Sequence, residues 1–320
     1  MNAPFKPDSV KDAFDALAEA DQPDRAYLRR QWFESGPEPA TKFAVARRVS
    51  GKPLAGFALR PKPIGPASLG LKVNEIAGPY WPMRGVPVDA HTSPSELANA
   101  IKDKALTKAL GPAFRLGPVV RGHASIRLLS EAMTLAGWTV LTKNAGQHFA
   151  VDLATNIASG SWPSTRGQRK RRWHVRNMEK IAPVRTEYFP GADWTPETRD
   201  AMSPIEANSW LGPLEDRGYT QFRDPALPHP WEDAAKDPAL AAMISGSVFW
   251  IGEDPVAFTF GLDCGPARLL IANNFDMAFK KDSPGKVLIY DDFLKAAERG
   301  IERMDLGLGD AGYKSDMGAE

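Results

Sequence analysis

Apolar residues recur every three to four positions from Val10 to Ala20, which predicts an amphipathic helix, and YLRRQWF, Tyr27 to Phe33, predicts a second short one. The period then changes. Phe43 to Arg48, Pro53 to Leu59 and the residues around Val73 to Tyr80 read as strands parted by Gly and Pro turns, followed by the aromatic turn PYWPMRG. From Ser93 to Leu110 a Ser-Pro start, an acid in the first turn and a 3.6-residue apolar period predict one helix. A strand at Phe114 to Leu116, a helix over Ala124 to Ala136, a strand at Trp138 to Leu141 and the short strand FAVDL, Phe149 to Leu153, follow. The first half is therefore α/β in character.

The second half repeats this order without a visible sequence repeat. A basic segment, Arg166 to Lys180, precedes a strand near Val184 to Phe189, a helix near Glu197 to Trp210 and a Pro-rich loop through HPWEDAAKDP. SVFWIGE, PVAFTFGLD and ARLLIANNF, spanning Ser247 to Phe275 with turns at GED and DCGP, predict an antiparallel meander. It feeds a helix, Lys286 to Arg299, and a last strand, Met304 to Leu308. The fold class read from this is α/β (α+β), with two domains expected at 1–150 and 151–320.

Composition narrows the function more than the fold. Forty Lys plus Arg against 39 Asp plus Glu leave a net charge of +1, so no global field recruits nucleic acid or anionic membrane and any anionic partner is met locally. The N-terminus lacks the apolar core of a signal peptide, and no segment reaches the ~18 apolar residues of a membrane span, so a cytoplasmic protein is expected. Cys264 is the single cysteine and reads as a hairpin-turn residue; the five histidines show no ligand spacing, so no metal is expected.

The local positive charge lies in two places. TRGQRKRRWHVRNMEK and the residues after it place eight Lys or Arg between Arg166 and Arg185 against the one acid Glu179. On a helix Arg169, Arg172, Trp173, Arg176 and Lys180 fall along one broad face, which could hold phosphates with Trp173 stacking on a base, or could be a solvated face. In KKDSPGKVL, Ser283 is placed to cap a helix whose first residue is Pro284, and Gly285 removes the side chain where the backbone turns in. The positive end of that helix, with Lys280, Lys281 and Lys286, can hold a pyrophosphate or can be only a capped helix on a solvated face.

A helix dropped from a β-meander into a parallel strand resembles the GNAT superfamily of acyl-CoA N-acyltransferases. FAVDL followed by Arg166 to Arg172, EANSW (Glu206 to Trp210), DSPGKVL (Asp282 to Leu288) and ERGIERMDLGLGDAGYK (Glu298 to Lys314) are similar to the FemAB-like branch, tandem-GNAT proteins that include an acetyltransferase family linked to cellulose and exopolysaccharide biosynthesis. The resemblance implies tandem GNAT-like halves, each a mixed, mostly antiparallel sheet flanked by helices. It implies an acyl-CoA such as acetyl-CoA on Lys281, Ser283, Pro284, Gly285 and Lys286, with the second half holding it. The acyl group would pass directly to an amine on a small-molecule or carbohydrate-linked acceptor. Tyr313 stands where such enzymes place the tyrosine facing the CoA sulfur, as general acid, and Lys314 beside it where a phosphorylated or acidic substrate group is contacted. Glu206, Asp276 and Asp305 are the candidate bases, unranked by the sequence. Trp81 and Arg84 in PYWPMRG either touch the acceptor or form a packed turn. Two alternatives stay open: aminoacyl transfer from charged tRNA, against which stands the lack of a long heptad run, and a non-catalytic pair that binds a phosphorylated ligand. A complete half of this kind continues into a closing β-hairpin, whereas the chain reaches Glu320 six residues after Lys314. The missing edge is therefore expected from the first half, from a second subunit in a homodimer, or not at all.

Overall fold

The computed structural model of the 320-residue chain describes residues 10–36, 39–64, 70, 72–80, 83–213, 220–222, 230–309, 312, 314, 317 and 319. Its elements are α1 (Asp12–Ala20), α2 (Arg30–Glu34), β1 (Lys42–Arg47), β2 (Pro53–Pro63), β3 (Lys72–Ile76), α3 (Pro94–Ile101), α4 (Lys104–Leu110), β4 (Phe114–Arg115) and α5 (Ala124–Leu135). There follow β5 (His148–Asp152), α6 (Leu153–Ala158), α7 (Thr165–Met178), β6 (Val184–Pro190), α8 (Pro196–Ala207), α9 (Pro230–Ala234) and α10 (Pro238–Met243). The meander β7 (Ile244–Ile251), β8 (Asp254–Cys264) and β9 (Ala267–Phe275), then α11 (Pro284–Glu298) and β10 (Arg303–Leu308), complete the series. Two compact units result, one of Met1–Ala145 with Pro230–Leu240, the other of Gly146–His229 with Ala241–Glu320. Among the described residues no helix is long and apolar enough to cross a membrane.

The first unit holds a sheet of order β1-β2-β3-β4, antiparallel at its first two junctions and parallel at the third. β2 is buried from Pro53 to Arg60, which accounts for its continuous apolar run instead of an alternating one. On one face Gly56 lies against the ring of Phe14, from the stripe Ala13, Phe14, Leu17, Ala18 that α1 buries. On the other, Phe57 meets Phe114 edge-on with ring centroids 5.8 Å apart. The segment Pro230–Leu240, distant in sequence, counts with this unit: Trp231 lies 6.0 Å from Trp32, and Arg29 pairs with Asp237 at 3.0 Å.

Two sequence expectations are corrected here. The single helix from Ser93 to Leu110 is two, because the Asp103 carboxylate accepts the amides of Ala105 and Leu106 at 2.9 and 3.0 Å and so caps a new helix in mid-run. The strand expected at Trp138 to Leu141 does not form: Leu141 is 89% exposed, and β4, the free edge beside it in the expected order, is two residues long and offers little ladder to join.

The second unit holds a six-stranded sheet, β5-β10-β9-β8-β7-β6, in which β10 and β9 are parallel and all other neighbours antiparallel. This is the mixed, mostly antiparallel sheet expected for each half. One face is covered by α6, α7 and α11: Leu153, Met178, Val287, Ile289 and Phe293 pack on Phe149, Val151, Phe249, Leu270 and Met304. Alternation turns Phe258 and Phe260 to the opposite face, where Phe222 lies 5.5 and 5.0 Å from them. β5 forms the edge of this sheet and pairs antiparallel with β10 from Arg303↔Asp152 to Leu308↔His148.

Candidate functional site

β9 and β10 pair at three positions only, Arg303↔Ala267, Met304↔Arg268 and Asp305↔Leu269. Beyond that rung β9 runs to Phe275 against β8 alone, and β10 runs to Leu308 against β5 alone. Parallel neighbours that part in this way leave a wedge lined by backbone N–H and C=O groups released from their ladder. The first turn of α11 abuts the end of β9, so the positive end of the helix dipole stands at the mouth of the wedge. That abutment needs glycine: a Cβ on Gly285 would lie 2.9 Å from the Phe275 ring.

One buried ion pair fixes α11 at the root of the wedge. Arg268, fully buried on the middle rung, donates from Nε to Asp292 of α11 at 2.8 Å and from Nη1 to Asp263 at 2.8 Å. Burial opposes both charges. The two carboxylates nevertheless hold Arg268 above its ordinary value, while burial pushes Asp292 up against the pull of Arg268.

On the last rung, Asp305 faces the same way as its partner Leu269. A bulge follows: the register on β5 shifts between Asp305 and Gly307, with Gly307 at φ +71, a left-handed geometry that suits glycine. Asp305 Oδ1 accepts the Gly307 amide at 2.9 Å and His148 Nε2–H of β5 at 2.8 Å. Both side chains stay open to solvent, 15% and 24% exposed. A carboxylate that holds one ring nitrogen fixes the tautomer and leaves Nδ1 to take up a proton. Sequence reading missed His148. The available signal was alternation in HFAVD, which puts His148 and Ala150 opposite the buried Phe149 and Val151, but its partner lies 157 positions away.

The α11 turn departs from the expected cap. Ser283 is left-handed, at φ 56 and ψ 48, and its hydroxyl makes no cap bond, because that backbone turns the side chain away from the helix amides. The Ser283 carbonyl instead accepts from the amides of Lys286 at 3.0 Å and Val287 at 3.3 Å. Pro284 and Gly285 are buried, whereas Lys280, Lys281 and Lys286 are exposed around them. Donor groups of this kind, at the positive end of a 15-residue helix, fit a diphosphate.

α7 packs against this turn. Its inner side pairs Arg171 with Asp291 at 2.8 Å and buries His174, whose ring bonds to the backbone of Asp282; its outer side exposes Arg169, Arg172, Trp173, Arg176 and Lys180 as expected from their spacing. Burial, with the charges of Lys170 and Lys286, pushes His174 below its ordinary 6.5 despite the bond to Asp282. The sign follows. The unfolded chain takes up the proton first, so stability is complete above about pH 6.5 and declines as pH falls toward the lower folded value, by at most about 1.4 kcal/mol per pH unit. Urea midpoints measured at pH 7.5 and 5.5 should therefore differ less in His174→Gln than in the parent; equal differences would remove His174 from the account.

The other candidates lie elsewhere. Glu206 is fully buried on α8 and accepts the amides of Gln221 at 2.8 Å and Phe222 at 2.6 Å, a clamp on that loop. Asp276 caps a short turn through Ala278 N at 2.8 Å and accepts from Asn208 at 3.1 Å. Lys314, 5% exposed, turns its ammonium onto the carbonyls of Gly307 and Leu308 at 3.3 and 3.0 Å, so that charge braces the end of β10. Tyr313 and Trp81 lie outside the described residues. Among the described residues no group of three or more His, Cys, Asp or Glu is placed to hold a metal ion.

Residues 169–315 match the family model described as Acetyltransferase (GNAT) domain. The chain is similar to the solved structure of FemX at 12% identity, covering 96% of this chain and 92% of that one, with a TM-score of 0.58. It is similar to the C-terminal domain of a lysylphosphatidylglycerol synthetase from Agrobacterium fabrum (15% identity, 97% and 80% covered, TM-score 0.52) and to L-PGS from Bacillus licheniformis (14%, 98% and 80%, 0.52). At these identities the likeness concerns the fold. No curated protein matches the chain.

Proposed function

We propose that this chain, whose residues 169–315 match an acetyltransferase (GNAT) domain and whose fold is like that of FemX, is an acyltransferase that moves an acyl group from an activated carrier to an amine by direct attack. The observation that carries this reading is the parting of β9 from β10, with the α11 N-terminus at its mouth and the His148–Asp305 pair on its last rung. The acceptor nitrogen attacks the donor carbonyl carbon while His148 Nδ1 takes the amine proton and Asp305 stabilises the imidazolium formed. The carbonyl then re-forms as the bond to the carrier breaks, and the proton on His148 is available to the departing thiolate. No acyl-enzyme is required. Among the three candidate bases, Asp305 is favoured over Glu206 and Asp276 because its oxygen orients a histidine.

Acetyl-CoA is the donor we place first, its diphosphate at Gly285, Lys281 and Lys286. The acceptor class is a small-molecule or carbohydrate-linked amine. The open face of α7, with Trp173 58% exposed beside Arg169, Arg172 and Arg176, favours one second reading, a nucleic-acid carrier such as aminoacyl-tRNA. Calorimetric titration separates the two. The parent should bind acetyl-CoA with micromolar affinity and Lys281→Glu/Lys286→Glu about tenfold or more weakly. Gly285→Glu is unsuitable, because its side chain would strike Phe275 and test folding instead. Absence of heat with the parent would sink acyl-CoA as donor, and tRNA binding lost in Arg169→Gln/Arg172→Gln would install the second reading.

A further inference from the structure

The first unit holds a charge cluster that this reaction does not use. Glu75 on β3, 1% exposed, is met by four cations. Arg60 Nη2 at 2.8 Å and Arg84 Nη1 bond to its Oε1, while Lys62 Nζ at 3.3 Å and Arg115 Nη1 at 3.7 Å face its Oε2. Strand register produces the convergence: Arg60 stands opposite Glu75 across β2–β3, Arg115 stands opposite it across β3–β4, and Lys62 lies two residues along β2 on the same face. Burial alone would push Glu75 up, but the bond from Arg60 and the charges of Arg84 and Lys62 hold it below its ordinary value, so it is a fixed anion.

Compensating a buried carboxylate does not require four cations. Arg60 and Arg84, with side chains 9% and 10% exposed, already bond to it. Lys62 and Arg115 are 41% and 62% exposed, meet the carboxylate at 3.3 and 3.7 Å, Lys62 also through a long bond of 3.5 Å to Oε1, and repel each other across it. Among the described residues Glu75 is the acid that pairs with Lys62 and with Arg115. Two outward-facing cations, oriented by a shared inner carboxylate, match a compact dianion; the Arg115 fork suits two oxygens of one phosphate, and Lys62 supplies a point charge beside it.

We propose that Lys62 and Arg115, standing on the Arg60–Glu75–Arg84 floor, are an anion subsite of the first unit that takes a phosphate or diphosphate group. This holds whether or not the second unit transfers acyl groups. To keep the α11 turn out of the measurement, pyrophosphate is titrated by calorimetry into the full chain carrying Lys281→Glu/Lys286→Glu. Saturable binding is expected, weakened about tenfold or more when Lys62→Gln and Arg115→Gln are added, with only a small fall in melting temperature because Arg60 and Arg84 still bond to Glu75. Inorganic phosphate should compete for the site. Three results would overturn the proposal: no saturable binding; a loss produced by Arg169→Gln/Arg172→Gln in place of the Lys62 and Arg115 changes; or malonate binding as tightly as pyrophosphate, which would make the site one for dicarboxylates.

Discussion

Replacing His148 with alanine is expected to lower kcat by about 10²–10⁴-fold, the range usual for a general base, with little change in donor affinity. The argument is geometric. Asp305 Oδ1 holds Nε2–H at 2.8 Å, so the base is locked in the tautomer that presents Nδ1, and the same oxygen is fixed by the Gly307 amide. Asp305→Asn should lower kcat as well, because an amide placed there can donate to Nε2 and invert the tautomer. The two changes should not multiply, since they remove one device. A kcat within about threefold of the parent would show that the proton leaves by another route. Because the ring is 24% exposed on an edge strand, the variant should remain folded, and donor titration provides that control.

The largest stability loss is expected from Arg268→Met. Truncating one member of a buried pair leaves the other charge uncompensated, which costs about 3–5 kcal/mol, a large part of a stability that is ordinarily about 5–15 kcal/mol. Asp292 sits in the middle of α11, and Arg268 on the middle of the three rungs that join β9 to β10. The loss should therefore be accompanied by weaker donor binding, as the helix end is no longer held at the wedge. Changing both groups, Arg268→Met with Asp292→Leu, removes the stranded charge and should recover a substantial share of the loss in urea denaturation. A single-variant loss below about 1 kcal/mol would mean that water reaches Asp292 and that the pair is not sealed.

The elements were legible where one face of an element is apolar and the period is long: the meander, α11 and α5 fell where their patterns placed them. Errors arose where a side chain competes with the backbone or where an element needs a distant partner. Asp103 divided one helix into two by binding the amides that would have continued it. Trp138 to Leu141 had a strand's composition but no long edge to join. The left-handed backbone of Ser283 is invisible in a Ser-Pro-Gly string that reads as a cap. The candidate site was legible only in part. Asp305, Gly285 and the lysines around it stood out by type and spacing, whereas His148 acquires its meaning only from the register of β5 on β10. Glu206 was chosen for its chemistry and proves to hold two amides of a loop, a role that depends on a fold-back no local pattern announces.

The segment Pro230–Leu240 bears on the order in which the protein is made. During synthesis the first unit emerges nearly complete at Ala145, yet Trp231 and Asp237, the partners of Trp32 and Arg29, follow roughly ninety residues later. At about 5–20 residues per second the nascent first unit spends several seconds with Trp32 uncovered, while α6, α7 and α8 of the second unit are being translated. The first unit therefore cannot close when Ala145 emerges; it is closed by a piece of chain delivered from within the second.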